Sequence, residues 1–201
     1  MSIAERSRVV TTPVQRSPWA KVRILETANE LFYEEGIRAV GVDRLIGESS
    51  VTKATFYKHY GSKNTLIVDY ITGRHRAMVQ LVTTTIEESP NAEEALRRLL
   101  HALVTDIGTP GFRGCAFLNA AAEFAEPTHV VRRLVLSHRD WLTEVLATLL
   151  GELGHPMPGD GADDLILAMD GAQAGGYAGD PIAAAAALGR TVERVIAAAR
   201  A

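Results

Sequence analysis

The sequence predicts an all-α protein of about nine helices. Apolar residues recur at intervals of three and four along most of the chain, which places them on one face of a helix. No segment has the strict alternation of polar and apolar residues that is typical of a strand. Pro, Gly and Ser separate the helical patterns. A chain of 201 residues, 47% of them hydrophobic, suffices for a small domain joined to a larger one.

The first predicted helix begins at Ser17-Pro18 and ends at Gly36. Ser can accept a hydrogen bond from the free N–H groups of a first helical turn, and Pro is tolerated there. The apolar residues of this helix then share one face: Ile24, Leu25, Ala28, Leu31 and Phe32. Residues 1–17 have no apolar periodicity, so we expect a flexible N-terminal tail.

Two short helical patterns follow and meet at Ser49-Ser50. Val42, Leu45 and Ile46 form the apolar face of the first. In the second, polar side chains that can contact phosphates or bases stand at positions 52, 53, 55, 57, 58 and 59, and the expected inward-facing residues are Val51, Ala54, Phe56 and Tyr60. This division fits a helix-turn-helix, whose second helix lies in the DNA major groove. A small polar helical hairpin fits the pattern equally well.

A longer segment, RILETANELFYEEGIRAVGVDRLIGESSVTKATFYKHYGSKNTLI, resembles the N-terminal domain of the tetracycline-repressor (TetR) family of transcriptional regulators. The family's usual residues are replaced at Gly41, Ile46, Ser49-Ser50 and Ala54. The resemblance implies a three-helix helix-turn-helix domain and a larger helical domain for effector binding and dimerisation. It rests on these residues in order: Ile24, Leu25, Ala28, Leu31, Phe32, Gly36, Val42, Leu45, Val51, Lys53, Phe56, Tyr57, His59, Tyr60, Lys63 and Leu66.

The predicted DNA contacts fall into two groups. Lys53, Thr55 and Lys58 are candidates for reading base edges, because Lys bonds guanine acceptors and the Thr methyl packs on thymine. The resemblance implies that other positions hold phosphates, which set register and much of the affinity. Those positions are Tyr57, His59 and Lys63, and Arg44, Thr52 and Ala54 lie near enough in sequence to contribute.

The charge distribution supports a basic head on an acidic body. The chain as a whole carries a net charge of −3, which taken alone argues against nucleic-acid binding. Up to Arg76, however, twelve basic and eight acidic residues give +4, and the remainder, with nine bases and sixteen acids, carries −7. Such asymmetry is typical of a DNA-binding domain joined to a regulatory one.

Six further helices are predicted after the recognition segment. The first is a long helix that begins near Lys63 after the cap Gly61-Ser62 and links the two domains. We expect domain limits of 1–17 for the tail, 18–78 for DNA binding and 79–201 for effector binding and dimerisation. The six helices run from Lys63 to about Glu88, from the cap Asn91 to Ile107, from Cys115 to Ala125, from His129 to Leu153, from Ala162 to Ala178 and from Pro181 to Ala201.

The larger domain is expected to hold a small-molecule effector among apolar and aromatic side chains with a few polar groups. Any one of these candidates is as compatible with ordinary core packing. Cys115 is a candidate redox-sensitive thiol or an inert packing residue. The candidate lining residues are Tyr70, Met78, His101, Phe117, Phe124, His138, Trp141 and Tyr177.

The last two helices are rich in Ala and Gly, and such small residues let helices approach closely. We expect them to pair with their copies in a four-helix homodimer interface, with an intrachain helical pair as the alternative. In such a dimer, two DNA-binding domains about one DNA turn apart would read a near-palindromic double-stranded operator. The expected interface residues are Ala168, Gly171, Ala174, Gly175, Ala178, Val192, Val195 and Ile196.

No pattern in the sequence favours an enzyme. His, Asp and Glu lack metal-ligand spacing, and neither a phosphate-binding loop nor a nucleophile elbow occurs, so no catalytic residue, metal or cofactor is predicted. No apolar run would span a membrane and no signal peptide is recognisable, so a cytoplasmic location is expected. The prediction is a repressor that an effector releases from its operator. The alternatives are a dimeric DNA-binding protein without an effector and a helical enzyme that uses Cys115.

Overall fold

The computed structural model describes residues 18–200 and confirms the all-α prediction. The predicted N-terminal tail, including the Ser17 cap, lies outside the described residues. Nine helices occupy the described part: α1 Pro18–Glu35, α2 Val42–Glu48, α3 Lys53–Tyr60, α4 Lys63–Glu87, α5 Ala92–Ile107, α6 Ala116–Glu123, α7 Val130–Glu152, α8 Pro158–Ala178 and α9 Pro181–Ala198.

Side-chain caps place the starts of several helices where the sequence predicts them. Asn91 accepts a hydrogen bond from the Glu94 N–H at 2.9 Å, and Ser62 accepts one from the Thr65 N–H at 3.2 Å. Each bond satisfies a donor that the first helical turn leaves free. The prediction for α8 was wrong by four residues, because Pro158 occupies the first turn, where its fixed φ and missing N–H are tolerated.

A buried core beneath the helix-turn-helix, which we call the head core, holds residues of α1, α2, α3 and the start of α4. Side chains of α6 and the first turns of α7 complete it, so the head, comprising α1 to α3 and the start of α4, shares its core with the rest of the chain, the body. The division predicted at residue 78 stays a prediction. Members of the head core include Ile24, Phe32, Leu45, Phe56, Leu66, Phe117 and Val131.

A second core holds the body together. The later part of α7 packs there against α5 and α8, which also pack against α9, so α7 contributes to both cores. This second core contains Leu96, Leu100, Leu146, Leu150, Leu165, Leu188, Val192, Val195 and Ile196.

The turn between α2 and α3 uses two serines in different ways. Ser49 is buried, and its hydroxyl donates to the Leu45 carbonyl at 2.5 Å. Ser50 adopts a φ of 51°, in the left-handed region that favours glycine. Val51 then lies half-buried and Ala54 is exposed rather than inward as expected, because Phe56 and Tyr60 supply the buried face of α3.

We predict that Ser50→Gly stabilises the protein by about 0.5–1 kcal/mol. Glycine relieves the left-handed strain, and part of that gain is offset by the greater freedom of glycine in the unfolded chain. Urea unfolding measures the change. Ser49→Gly is the matched control and should destabilise, since it removes the bond to Leu45 at an ordinary right-handed φ. The interpretation fails if both variants lose stability.

Candidate nucleic-acid interface and ligand cavity

The recognition helix α3 presents one polar face outward. Phe56 and Tyr60 fix its inner side in the head core, and their rings lie 6.1 Å apart. On the opposite side Lys53, Ala54 and Lys58 are exposed, and the Tyr57 side chain is 44% exposed. The head core therefore fixes the inner face of α3, and the outer face exposes two amines, a phenol and a small side chain to a binding partner.

Two predicted contact residues also stabilise the start of this helix. The Thr52 hydroxyl accepts a hydrogen bond from the Thr55 N–H at 3.1 Å, and the hydroxyls of these threonines lie 2.8 Å apart. Thr52 therefore caps α3 through its side chain. The Thr55 methyl remains available to a base, while its hydroxyl is engaged within the turn.

The cations near α3 differ in their partners. Arg44 donates to Glu35 at 2.5 Å and lies 3.8 Å from Glu48. The Lys53 ammonium lies 3.9 Å from Asp43, and both side chains are mostly exposed. Exposed pairs of this kind contribute little to stability, so either cation can exchange its carboxylate for a phosphate at small cost.

Lys63 lies deeper than a phosphate contact would require. Its ammonium donates to the Ile37 carbonyl at 2.5 Å and lies 5.7 Å from the centre of the Phe32 ring. Burial lowers the pKa of Lys63, and the nearby Glu123 carboxylate opposes that effect. Its phosphate contact stays a prediction, and the ammonium has donors besides the one that the Ile37 carbonyl accepts.

Glu123, which the sequence analysis did not single out, joins the body to the head. Its carboxylate accepts from the backbone N–H groups of Ile37 at 2.8 Å and Arg38 at 2.6 Å. Gly36 makes this approach possible, since its φ is 97° and a Cβ there would lie 3.3 Å from a Glu123 carboxylate oxygen. No local pattern marks Glu123, because its partners are about 85 residues away in the sequence.

Tyr33 forms a second link between the two parts. Its hydroxyl accepts from the Arg113 N–H at 2.9 Å and donates to the Gly114 carbonyl at 3.0 Å. Burial is the main cause that raises the pKa of Tyr33. This residue ties α1 to the loop before α6.

A cavity of about 420 Å³ lies inside the body among α4, α5, α6, α7 and α8. Its size is typical of small-molecule sites. Three predicted lining residues, Met78, Phe117 and His138, do line it. The other lining residues are mostly apolar and include Leu81, Val82, Leu99, Leu103, Leu142, Ile166 and Met169.

Five predicted lining residues lie elsewhere. Tyr70 is buried in the head core with its ring 5.4 Å from that of Phe32, and burial raises its pKa. Phe124 stacks on His129 at 4.3 Å. The remaining three also lie outside the cavity. His101 lines an outer groove between α5 and α9, and Trp141 lines a separate surface groove beside α4 and α7. Tyr177 is exposed, with the Arg113 guanidinium over its ring.

The polar part of the cavity wall includes an ion pair and a thiol. Arg139 and Asp170 pair at 2.8 Å, and the hydrogen bond to Asp170 raises the pKa of Arg139. Asp106 and Gln173 also line the wall. Burial raises the pKa of the Cys115 thiol, which keeps the thiol protonated and poorly nucleophilic at neutral pH.

Two histidines meet at the cavity. His138 on α7 is buried, and its ring stacks on Phe117 with 3.6 Å between the ring centres. Its Nδ1 lies 3.1 Å from Nδ1 of His75, which belongs to α4. Burial, with smaller contributions from His75 and Arg139, lowers the pKa of His138 from 6.5 to about 4. His138 is therefore neutral at physiological pH.

The predicted dimer residues divide into exposed and buried sets. Gly171, Ala174 and Ala178 are exposed along one face of α8, and Ala168 and Gly175 are half-buried. Leu167, one turn before Gly171 on α8, is 68% exposed, and Ile182 at the start of α9 is 80% exposed. The last three residues predicted for the interface are buried inside the chain's own core, where they pack with α5 and α8: Val192, Val195 and Ile196.

Two properties of the described residues bear on other functions. Within residues 18–200, no group of three or more His, Cys, Asp and Glu side chains is arranged to hold a metal ion. None of the helices described for this chain is both long and apolar enough to cross a membrane.

Comparison with known proteins identifies the family. Residues 24–70, which span most of α1, all of α2 and α3 and the start of α4, match the family described as bacterial regulatory proteins, tetR family. A TetR-family transcriptional regulator of known structure from Streptomyces coelicolor is 39% identical, over 89% of this chain and 95% of that one, with a TM-score of 0.86. This chain belongs to the TetR family. It is a DNA-binding transcriptional regulator with a helix-turn-helix domain.

More distant TetR structures share the fold of this TetR-family chain. A TetR-type regulator from Streptomyces avermitilis is 24% identical, covering 90% of this chain and 98% of that one, with a TM-score of 0.80. The regulatory protein TetR from Rhodobacter sphaeroides is 18% identical, covering 89% and 98%, with a TM-score of 0.75. A search among curated proteins gives no match.

We predict that neutral His138 makes stability fall in acid. Because the folded pKa of His138 is about 4 and the unfolded value is 6.5, the unfolded chain alone binds a proton between these values. The stability is present above pH 6.5 and is lost as pH falls toward 4. Relative to His138→Phe, the wild-type protein should lose on the order of 2 kcal/mol between pH 7 and pH 4.5 in urea unfolding. Parallel pH curves for the two proteins would refute the assignment.

Proposed function

We propose that the chain is a homodimeric repressor that leaves a near-palindromic operator when a small molecule fills the cavity. The observation that carries the DNA-binding part is the face of α3, which displays Lys53, Tyr57 and Lys58 while Phe56 and Tyr60 hold the helix in the core. Relatives in the TetR family are transcriptional regulators, so we propose no catalytic role. The DNA target implies a cytoplasmic location.

In this proposal the exposed groups of α3 have separate tasks. Lys53, Thr55 and Lys58 read base edges in the major groove. Tyr57 and His59 hold phosphates. Arg44 joins them after it exchanges its carboxylate partners, and Lys63 joins through the donors that the Ile37 carbonyl does not accept. Thr52 contributes by capping the helix, and the exposed Ala54 leaves room for close approach.

The exposed face of α8 supports dimerisation. Gly171, Ala174 and Ala178 lie on one stripe with the exposed Leu167, and Ile182 adds apolar surface at the start of α9. An exposed apolar surface of this kind is typical of a protein interface. Pairing through a two-fold axis would set two recognition helices about one DNA turn apart.

The internal cavity favours an effector over a DNA-binding protein without one. Its wall includes Met78 of α4, the helix that two residues separate from the recognition helix and that leads from the head into the body. A ligand that binds better when α4 is tilted would favour heads at the wrong spacing for DNA. Release by the effector therefore needs no direct contact between ligand and DNA.

Selection from random duplex DNA at physiological salt tests the proposal. The wild-type protein should enrich a near-palindrome. Lys58→Ala should relax the preference at one or two base pairs in each half-site, by about 1–3 kcal/mol. Tyr57→Ala should weaken binding to all sequences by about fivefold, because a phosphate contact carries no sequence information.

Arg133→Ala is the matched control, since it removes an exposed positive charge from the body. Its selected sequence and affinity should equal those of the wild-type protein. An unchanged sequence preference in Lys58→Ala would exclude that residue from base reading. A selected sequence without two-fold symmetry would contradict the dimeric head arrangement.

A further inference from the structure

The cavity wall includes a buried histidine with one ring nitrogen that no described protein group engages, beside the Asp106 carboxylate and the Gln173 amide. The His138 ring has one face against Phe117, and its Nδ1 bonds Nδ1 of His75. Within residues 18–200, no protein group forms a hydrogen bond with His138 Nε2. His138 is part of the cavity wall, and Nε2 is the nitrogen of its ring that the bond to His75 leaves open to a bound molecule.

The other polar groups of the wall do not favour an anionic ligand. Arg139 is already neutralised by Asp170 at 2.8 Å, and Asp106 adds a negative charge at the rim. A carboxylate or phosphate in the cavity would therefore meet no unpaired cation among the lining residues that the structure describes. The remaining wall suits rings, since Met78 and Met169 offer adaptable thioethers that contact aromatic rings favourably.

We propose that the cavity binds a neutral phenolic compound of two or three rings whose hydroxyl donates to His138 Nε2. This inference rests on the effector role of the cavity proposed above and names the chemical class of that effector. Its rings would lie among the Leu and Met side chains, and its hydroxyl would be the single group that the wall recognises by hydrogen bonding.

The ligand hydroxyl also determines which histidine, His138 on α7 or His75 on α4, carries the proton of the hydrogen bond between them. A neutral imidazole carries one N–H, so His138 must hold its proton on Nδ1 when Nε2 accepts from the ligand. Nδ1–H then donates to Nδ1 of His75, which must accept. An acceptor-only ligand would require Nε2–H on His138 and reverse this bond. Binding of the phenol therefore fixes the tautomer of His75, which lies on the helix that leads to the DNA-binding head.

Binding of 4-phenylphenol and biphenyl, measured by equilibrium dialysis, tests the hydroxyl contact. The wild-type protein should bind 4-phenylphenol about tenfold more tightly than biphenyl, as one satisfied hydrogen bond implies. His138→Phe should bind both compounds with nearly equal affinity. His101→Phe is the matched control, because His101 lies outside the cavity, and it should keep the tenfold preference.

The outcomes separate the inference from the proposed function. If neither compound binds the wild-type protein, the phenolic ligand is wrong, and the proposed function is still decided by the DNA selection described above. Equal binding of both compounds by the wild-type protein would overturn only the hydroxyl contact. A preference that survives in His138→Phe would place the hydroxyl on another group and also overturn it.

Imidazole ¹⁵N chemical shifts test the proton arrangement directly. In protein labelled at histidine, 4-phenylphenol should give His138 the signature of an Nδ1–H tautomer and give His75 an accepting Nδ1. Biphenyl should leave both rings as they are in the free protein. Unchanged His75 shifts with bound 4-phenylphenol would overturn the link to α4.

Discussion

The contact on which the arrangement of this regulator depends is the Glu123 carboxylate bound to the Ile37 and Arg38 N–H groups. These amides lie in the turn between α1 and α2, where no helix supplies them with a carbonyl partner. A charged acceptor that takes two such donors is stronger than a neutral one. Through this contact the end of α6 fixes the base of the helix-turn-helix, and Tyr33 fixes α1 to the loop before α6.

Two helices therefore connect the cavity to the head. Cys115 and Phe117 line the cavity at the start of α6, and Glu123 holds the head at the end of the same helix. On the other route His138 faces the cavity and bonds His75 of α4. In the proposed mechanism a ligand that shifts either helix would change how the head sits on the body, and the shared head core would transmit that change because packed cores resist gradual deformation.

The fold was largely predictable from sequence, because helix periodicity and caps are local. Asn91 and Ser62 marked helix starts correctly, and the family resemblance supplied the exposed face of α3.

The cavity was only partly predictable. Tyr70, Phe124 and Trp141 have the composition of ligand-site residues, yet their helices turn them toward other neighbours. Glu123 and the His75–His138 pair bring together residues that are distant in sequence, so no local pattern could reveal them. Val192 was predicted at the dimer interface, but it is buried in the chain's own core, where α9 packs against α5.

Hydrogen exchange at the Ile37 and Arg38 amides tests most directly whether Glu123 fixes the head to the body. NMR should show both amides protected in the wild-type protein, and at least tenfold faster exchange in Glu123→Ala while amides of α5 keep their rates. That result would establish the carboxylate as the partner of the turn. Equal exchange rates of the two amides in wild type and Glu123→Ala would show that the contact does not hold in solution, and the coupling through α6 would have to be abandoned.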